Sequence, residues 1–391
     1  MDRTWPNSDI SIYNIDNDSN TIEIKWSHNL FEDYKNLAYQ YYLCGYKTFE
    51  DVINSGHDNV KSDSWFLTGI YLVRHSLELG LKALLCRIIS EKMEIQRAFE
   101  ECCHDVSKLY QRYTSSKVEN YLTNEENEWL IHYLDSLEYI DKKSDVFRYH
   151  FDEDFISKYK DKFLDNIGVA KNLLQSFLLI KKCIEKRKNY YGYEFDKKIK
   201  PEFFIFASHG IGNCSFWINI YDNFGVKIDG YSEVIDFLYL NESISKEVKL
   251  YPLIFMLRHT IELELKRLLI SNVDNDVTLD VTKSHLKSHL IKKDLWKDVK
   301  PIVVKYSSNN KDKETIDSVE KLIEELSKLD KKGDTFRYPT TFGLEYNFDD
   351  VKLDISNVYY CLKAIINFLN GCDSMLSAIA EYKNEMLNCF I

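Results

Sequence analysis

Proline and glycine are scarce in this sequence, 5 and 13 among 391 residues. A sandwich or barrel with many tight turns needs more of both, so the chain leans toward helix. Long apolar runs are missing too. The longest, near Leu173–Ile180 and Tyr251–Leu257, fall well short of the roughly 20 residues of a membrane span. The first nine residues, Met1 to Asp9, contain no apolar h-region, which argues against a signal peptide. Nine cysteines are present, but none stand in Cys-x-x-Cys spacing, a pattern that reads as reduced thiols in a cytoplasmic protein. Cys102, Cys103 and His104 cluster without a second ligand pair, so no metal site is expected. A basic excess is lacking as well. The formal charge of −11 excludes a broad duplex-DNA surface while leaving room for a local basic cleft. The Lys-rich stretches Lys181–Lys188 and Lys292–Lys300 are candidates for one, although a solvated helix face is their simplest reading. No phosphate-cradling loop, dinucleotide fingerprint, nucleophile elbow or zincin motif occurs, and no cofactor is implied.

What the sequence does contain is itself, twice. Residues 71–85 read YLVRHSLELGLKALL and residues 255–269 read FMLRHTIELELKRLL. A second match follows in the same order, DKKSDVFRY at 141–149 and DKKGDTFRY at 330–338. Two ordered matches at nearly constant shift mean duplication. The expected domains are residues 1–190 and 191–391, joined through the polar stretch Lys186–Lys200.

Each copy reads as a bundle of about four helices. The first has an opening helix at about Leu30–Asn54, the Arg-His helix, a third helix at about Asn124–Tyr139 and a closing stretch at about Ile156–Lys186. The second has a helix at about Ser215–Leu240, broken near Gly225 and Gly230, then about Lys313–Leu329 and about Val351–Lys383. Short strands are expected at Ile22–Trp26 and Glu202–Phe206. The acidic run Asn124–Glu128 reads as a helix start with Asn124 as cap. The fold class is therefore mainly all-α with a few short strands.

Arg74, Glu78 and Lys82 are spaced i, i+4, i+8 and share one stripe of a helix that is apolar nearly all round, with His75 beside the stripe. The second copy repeats this with Arg258, His259, Glu262 and Lys266. Buried charges require partners. Asp145 and Arg148, with Tyr149, are the expected ones in the first copy, and Asp334, Arg337 and Tyr338 in the second. Each cluster then carries more cations than anions, which suits an anionic ligand such as a phosphate. The alternative is a purely structural network that fixes the bundle's register. His104 and His285 fall in loops, where catalytic groups concentrate. The second match slides equally well to His289.

The Arg-His-x-x-Glu-Leu-x-Leu-Lys helix followed by Phe-Arg-Tyr, in a helical bundle, resembles the HEPN superfamily. These compact helical domains are common in bacterial toxin–antitoxin, abortive-infection and phage-defence proteins. The resemblance covers most of the chain as two tandem copies. It implies RNA binding and metal-independent endoribonuclease chemistry, in which an Arg-x(4–6)-His motif from each of two copies meets in one cleft. His would serve as general acid or base and Arg would stabilise charge on the phosphate. Arg97 and His104 match that spacing. The second copy has no equivalent, the nearest Arg upstream of His285 being Arg267. Catalytic roles thus fall to His104, Arg97 and His285. The partners implied are RNA or a nucleotide, or a partner protein, with a homo-oligomer also open. A non-catalytic sensor of a nucleotide or protein is the other expectation.

Overall fold

The computed structural model describes residues 4–56, 58–116, 121–149, 151–187, 194–208, 214–215, 223–271, 286–307, 309–348 and 350–389. The protein is mainly α-helical, with short strands in two small antiparallel sheets. Among the described residues no helix is long and apolar enough to cross a membrane. The chain forms two compact units that interleave in sequence. One comprises Lys25–Leu253 with Tyr338–Asp349, and the other Met1–Ile24, Ile254–Arg337 and Asp350–Ile391.

In the first of these units, α1 (Leu30–Asn54) starts on Asn29, whose side chain accepts from the Glu32 amide. A π-helical turn, Lys61–Trp65, leads into α2 (Phe66–Ile88). Residues 66–85 of α2 are all buried, as expected for a helix apolar on nearly every side. Packed against α2 are α1, α4 (Val106–Ser115) and α7 (Asn166–Glu185). Between them run α3 (Lys92–Cys102), α5 (Asn124–Asp141) and α6 (Glu153–Tyr159). Thr123, not Asn124, caps α5. Its hydroxyl accepts from the Glu126 amide while the Glu126 carboxylate takes the Thr123 amide, a reciprocal box that Asn124 has no acid at the right spacing to form.

The closing stretch is not one helix. Strand β2 (Phe163–Asp165) interrupts it and lies between β3 (Phe206–Ala207) and β4 (Cys214–Ser215), both antiparallel to it. Helix α8 (Asn223–Leu240) runs through Gly225 and Gly230 without a break. Gly230 is there for contact rather than for bending, because a Cβ at that position would lie 2.4 Å from the Ser64 carbonyl oxygen. The segment Tyr338–Asp349 belongs to this unit. It is held by Thr340 at 3.1 Å from the Tyr34 hydroxyl, and by the Tyr346 hydroxyl donating to Asp33 at 3.0 Å.

In the second unit, β1 (Thr21–Ile24) pairs antiparallel with β5 (Val351–Asp354), in register Thr21 to Asp354. Helix α9 (Lys246–Ser271) contributes its portion from Ile254 onward. A second π-helical turn, Ile291–Trp296, opens into α10 (Lys297–Lys305). Helix α11 (Asn310–Leu329) follows, capped by the reciprocal pair Asn309 and Asp312. Asp354 ends β5 and starts α12 (Ile355–Cys389) by accepting from the amides of Ser356 and Asn357. The closing stretch of this copy is again a strand followed by a helix.

Candidate functional site

Arg74 is fully buried and organises the first cluster. Its Nη1 donates to Glu78 Oε2 at 3.0 Å. Its Nη2 donates to two carbonyls, those of His104 at 2.8 Å and Asp141 at 3.2 Å. Nε stands 3.1 Å from Asp141 Oδ2, an ion pair whose angle is not that of a hydrogen bond. One guanidinium therefore ties together the loop before α4 and the turn after α5. Glu78 Oε1 receives three further groups: Lys82 Nζ at 2.8 Å, His104 Nδ1 at 3.0 Å and the Tyr338 hydroxyl at 2.8 Å. Burial alone would raise the Glu78 pKa, but Lys82, His104 and Arg74 hold it well below the usual carboxylate range. An ionised Glu78 requires a proton on His104 Nδ1, so Nε2 is the basic nitrogen of the neutral ring. Of these side chains His104 reaches solvent most, at 26% exposure against 2% or less for Arg74, Glu78 and Lys82.

The second copy builds the same cluster. Arg258 pairs with Glu262 four residues on, donates through Nη2 to the His289 carbonyl at 2.5 Å, and places Nε 3.7 Å from Asp330 Oδ2. Lys266 Nζ lies 2.7 Å and His289 Nδ1 2.9 Å from Glu262 Oε1. Burial opposes ionisation of Glu262, and Lys266, Arg258 and His289 overcome it, so its pKa is well below the ordinary value. The His289 side chain is 46% exposed. His289 thus takes the place that His104 has in the first copy, while His285 lies outside the described residues.

The acid facing each arginine is the first of its block, not the fifth as expected. Asp141 Oδ1 accepts from the amides of Asp145 at 2.9 Å and Val146 at 3.1 Å, which leaves Oδ2 beside Arg74. Asp330 does the same with the amides of Gly333 at 2.8 Å and Thr335 at 3.3 Å. Only an acid at the head of the turn can close it and face the arginine together. The turn passes through left-handed residues, Ser144 (φ 57°) and Gly333 (φ 81°). At Gly333 a Cβ would sit 2.9 Å from Arg258 Cζ, so the smaller residue is required there.

Asp145 serves the turn through its backbone, and Asp334 pairs at 3.3 Å with Arg337 of its own segment. Arg148 donates to the Ser144 carbonyl and lies with Cζ 5.0 Å from the Tyr149 ring centre, its Nη1 3.4 Å from the Tyr149 hydroxyl. Arg337 lies 5.8 Å from the Phe255 ring centre. With Asp141 and Asp330 as partners, the expected surplus of cations inside each cluster disappears. Arg74 and Lys82 balance Glu78 and Asp141. The surplus is instead outside, on the turn itself, where Lys142, Lys143, Lys331 and Lys332 are exposed.

His75 is sealed among rings, stacked on Tyr71 and edge-on to Tyr41 and Tyr338. His259 is equally buried and stacks on Phe255. Arg97 is exposed on α3, and no hydrogen bond or ion pair among the described residues brings it to His104. Lys82 lies with Nζ 4.5 Å from the centre of the Tyr338 ring, which covers it. Sequence reasoning did not anticipate Tyr338 beside Glu78, because the pair is 260 residues apart and no local spacing encodes it. Among the described residues no group of three or more His, Cys, Asp or Glu is placed to hold a metal ion. In comparisons with known proteins, no family model, no curated protein and no solved structure matches this chain.

Proposed function

We propose that the chain is a HEPN-like RNA-binding protein that cleaves RNA without a metal, using His104 and His289 as its proton-transfer groups. The observation that carries this reading is the twice-built arrangement of a surface imidazole whose Nδ1 is held by a buried, ionised glutamate. A carboxylate in that position fixes the tautomer and orientation of the ring and supports the imidazolium that forms when Nε2 takes a proton. In RNA cleavage one such ring would remove the 2′-hydroxyl proton as that oxygen attacks phosphorus. The proton taken up by that ring would pass through water to the departing 5′-oxygen, leaving a 2′,3′-cyclic phosphate. Arg74 and Arg258 are sealed, so charge on the phosphate falls to the exposed lysines of the adjoining turns, Lys142 and Lys143 or Lys331 and Lys332.

One observation favours a second reading. Arg74, Glu78 and Lys82 are buried and paired with one another, as a scaffold that only fixes helix register requires. Incubating the purified protein with total RNA in EDTA, beside a His104→Ala/His289→Ala double variant of unchanged thermal stability, separates the two. Cleavage by the wild type alone supports the nuclease. Absence of cleavage by the wild type, or equal cleavage by both, overturns it and leaves the scaffold.

A further inference from the structure

The second unit carries a basic groove that the His289 cluster does not use. It has a volume of about 740 Å³ and is lined by Lys292, Lys293, Trp296, Lys297, Lys300, Pro301, Val304 and Glu320. Of its four lysines, three share one face, because the π-helical turn Ile291–Trp296 runs into α10 and aligns positions 293, 297 and 300 with Val304. Two of them are neutralised, Lys292 by Glu324 and Lys300 by Glu320. Lys293 and Lys297 are exposed and form no ion pair among the described residues. Trp296 lines the groove yet is 1% exposed, and its indole Nε1 has no hydrogen-bond partner among the described residues. A buried donor without a partner marks a place where an acceptor is missing. Apolar Pro301 and Val304 line the groove beside the charges, the latter 43% exposed.

The loop bearing His289 leads directly into this groove. The Ser288 hydroxyl donates to Asp294 within the π-helical turn, and also accepts from the Leu290 amide at 3.1 Å. His289 is therefore fixed to the same rigid turn that displays Lys292 and Lys293. Uncompensated cations beside an apolar wall suit a chain that alternates phosphates with flat bases, which is how single strands are held without sequence preference. We infer that this groove binds a single strand of RNA and leads it toward His289. The inference rests on the reading of the chain as an RNA-acting protein and adds where the strand lies. An acidic peptide would satisfy the lysines but gives Pro301 and Val304 nothing flat to cover.

The test is binding of a fluorescein-labelled, 2′-O-methylated 12-nucleotide RNA, which cannot be cleaved, measured by anisotropy with the full-length chain across a salt series. Lys293→Glu/Lys297→Glu is the variant of choice, since Lys292 and Lys300 would strand Glu324 and Glu320. The expected result is an affinity loss of at least about tenfold and a shallower salt dependence, as loss of phosphate contacts requires. A control exchange at Lys181 and Lys186 in the other unit should leave binding unchanged. Wild-type affinity in the Lys293/Lys297 variant overturns the groove even if the protein cleaves RNA. Loss of binding in that variant, with no cleavage of total RNA by the wild type, keeps the groove and removes the nuclease. Unchanged RNA binding together with lost binding of a labelled polyglutamate peptide would assign the groove to an acidic protein segment instead and overturn the RNA strand.

Discussion

The Tyr338 hydroxyl donates to Glu78 Oε1 at 2.8 Å, although the second copy of the repeated block supplies the tyrosine and the first copy of the repeated helix supplies the acid. The same hydroxyl stands 3.2 Å from His104 Nδ1. One carboxylate oxygen thus gathers an ammonium, an imidazole and a phenol, and the ring of that phenol also covers the ammonium. The first cluster does not close on its own copy. The tyrosine of the second copy's block meets the first copy's acid, and the first cluster depends on the segment Tyr338–Asp349 being in place.

Tyr338→Phe keeps the ring over Lys82 and removes only the hydroxyl. A hydrogen bond to a charged group contributes about 1.5–3 kcal/mol, and the variant should lose stability in that range by urea unfolding. Tyr149→Phe, whose hydroxyl meets Arg148 at a long 3.4 Å, should lose less. Equal losses in the two would show that the Glu78 contact is not special.

Arg74→Ala leaves Glu78 and Asp141 buried without their guanidinium. Breaking a buried pair from one side costs about 3–5 kcal/mol, enough to unfold a domain of ordinary stability. Arg148→Ala removes a bond to the Ser144 carbonyl and contact with the Tyr149 ring, with an expected cost of about 1–2 kcal/mol. Circular dichroism melts of both variants check the order. A folded Arg74→Ala that keeps the wild-type melting temperature would deny the arginine its organising place.

The helices were readable because their signals are local. Leu30–Asn54 and the buried α2 follow from periodicity and a polar stripe, and the strand that alternation puts at Ile22–Trp26 forms at Thr21–Ile24. Asp141 and Asp145 recur equally in both copies, so repetition could not choose between them. The choice is made by turn geometry, which depends on Ser144 or Gly333 adopting positive φ. His289 beats its neighbours for a similar reason: its carbonyl as well as its ring must meet the Arg258–Glu262 pair. Tyr338 beside Glu78 had no sequence signal at all.

Asp141 performs two tasks that substitution can separate. Asn retains an oxygen for the amides of Asp145 and Val146 and gives up the charge opposite Arg74, whereas Ala gives up both. Burial holds the Asp141 pKa above its usual value against the pull of Arg74, so keeping the charge is itself costly. Asp141→Asn should therefore be milder than Asp141→Ala, which loses two turn hydrogen bonds at about 0.5–1.5 kcal/mol each. Guanidinium unfolding of the pair gives the difference directly.

Acid should weaken both clusters through Glu78 and Glu262. Their folded pKa values lie well below that of a free glutamate, near 4.3, so the stability they contribute is complete above that pH. It is lost as pH falls below about 4.3 toward the folded values. Glu78→Gln/Glu262→Gln should be less stable at pH 7 but show a shallower decline between about pH 4.5 and 2.5. Parallel acid limbs for variant and wild type would mean that other carboxylates set the decline.

Glu138 has the opposite sign. Burial first, and then Asp105, push its pKa up to about 8 against the pull of Arg74 and Lys142. The unfolded chain releases this proton near pH 4.3 while the folded chain keeps it, so Glu138 lowers stability increasingly as pH rises from about 4.5 to 8. Glu138→Gln copies the protonated form at every pH. It should match the wild type at pH 4 and melt higher at pH 8, with the gap opening between those values in a series of thermal melts. A gap of constant size would trace the gain to packing rather than to the proton, and a lower melting temperature at pH 8 would show that the ionised carboxylate is needed beside Asp105.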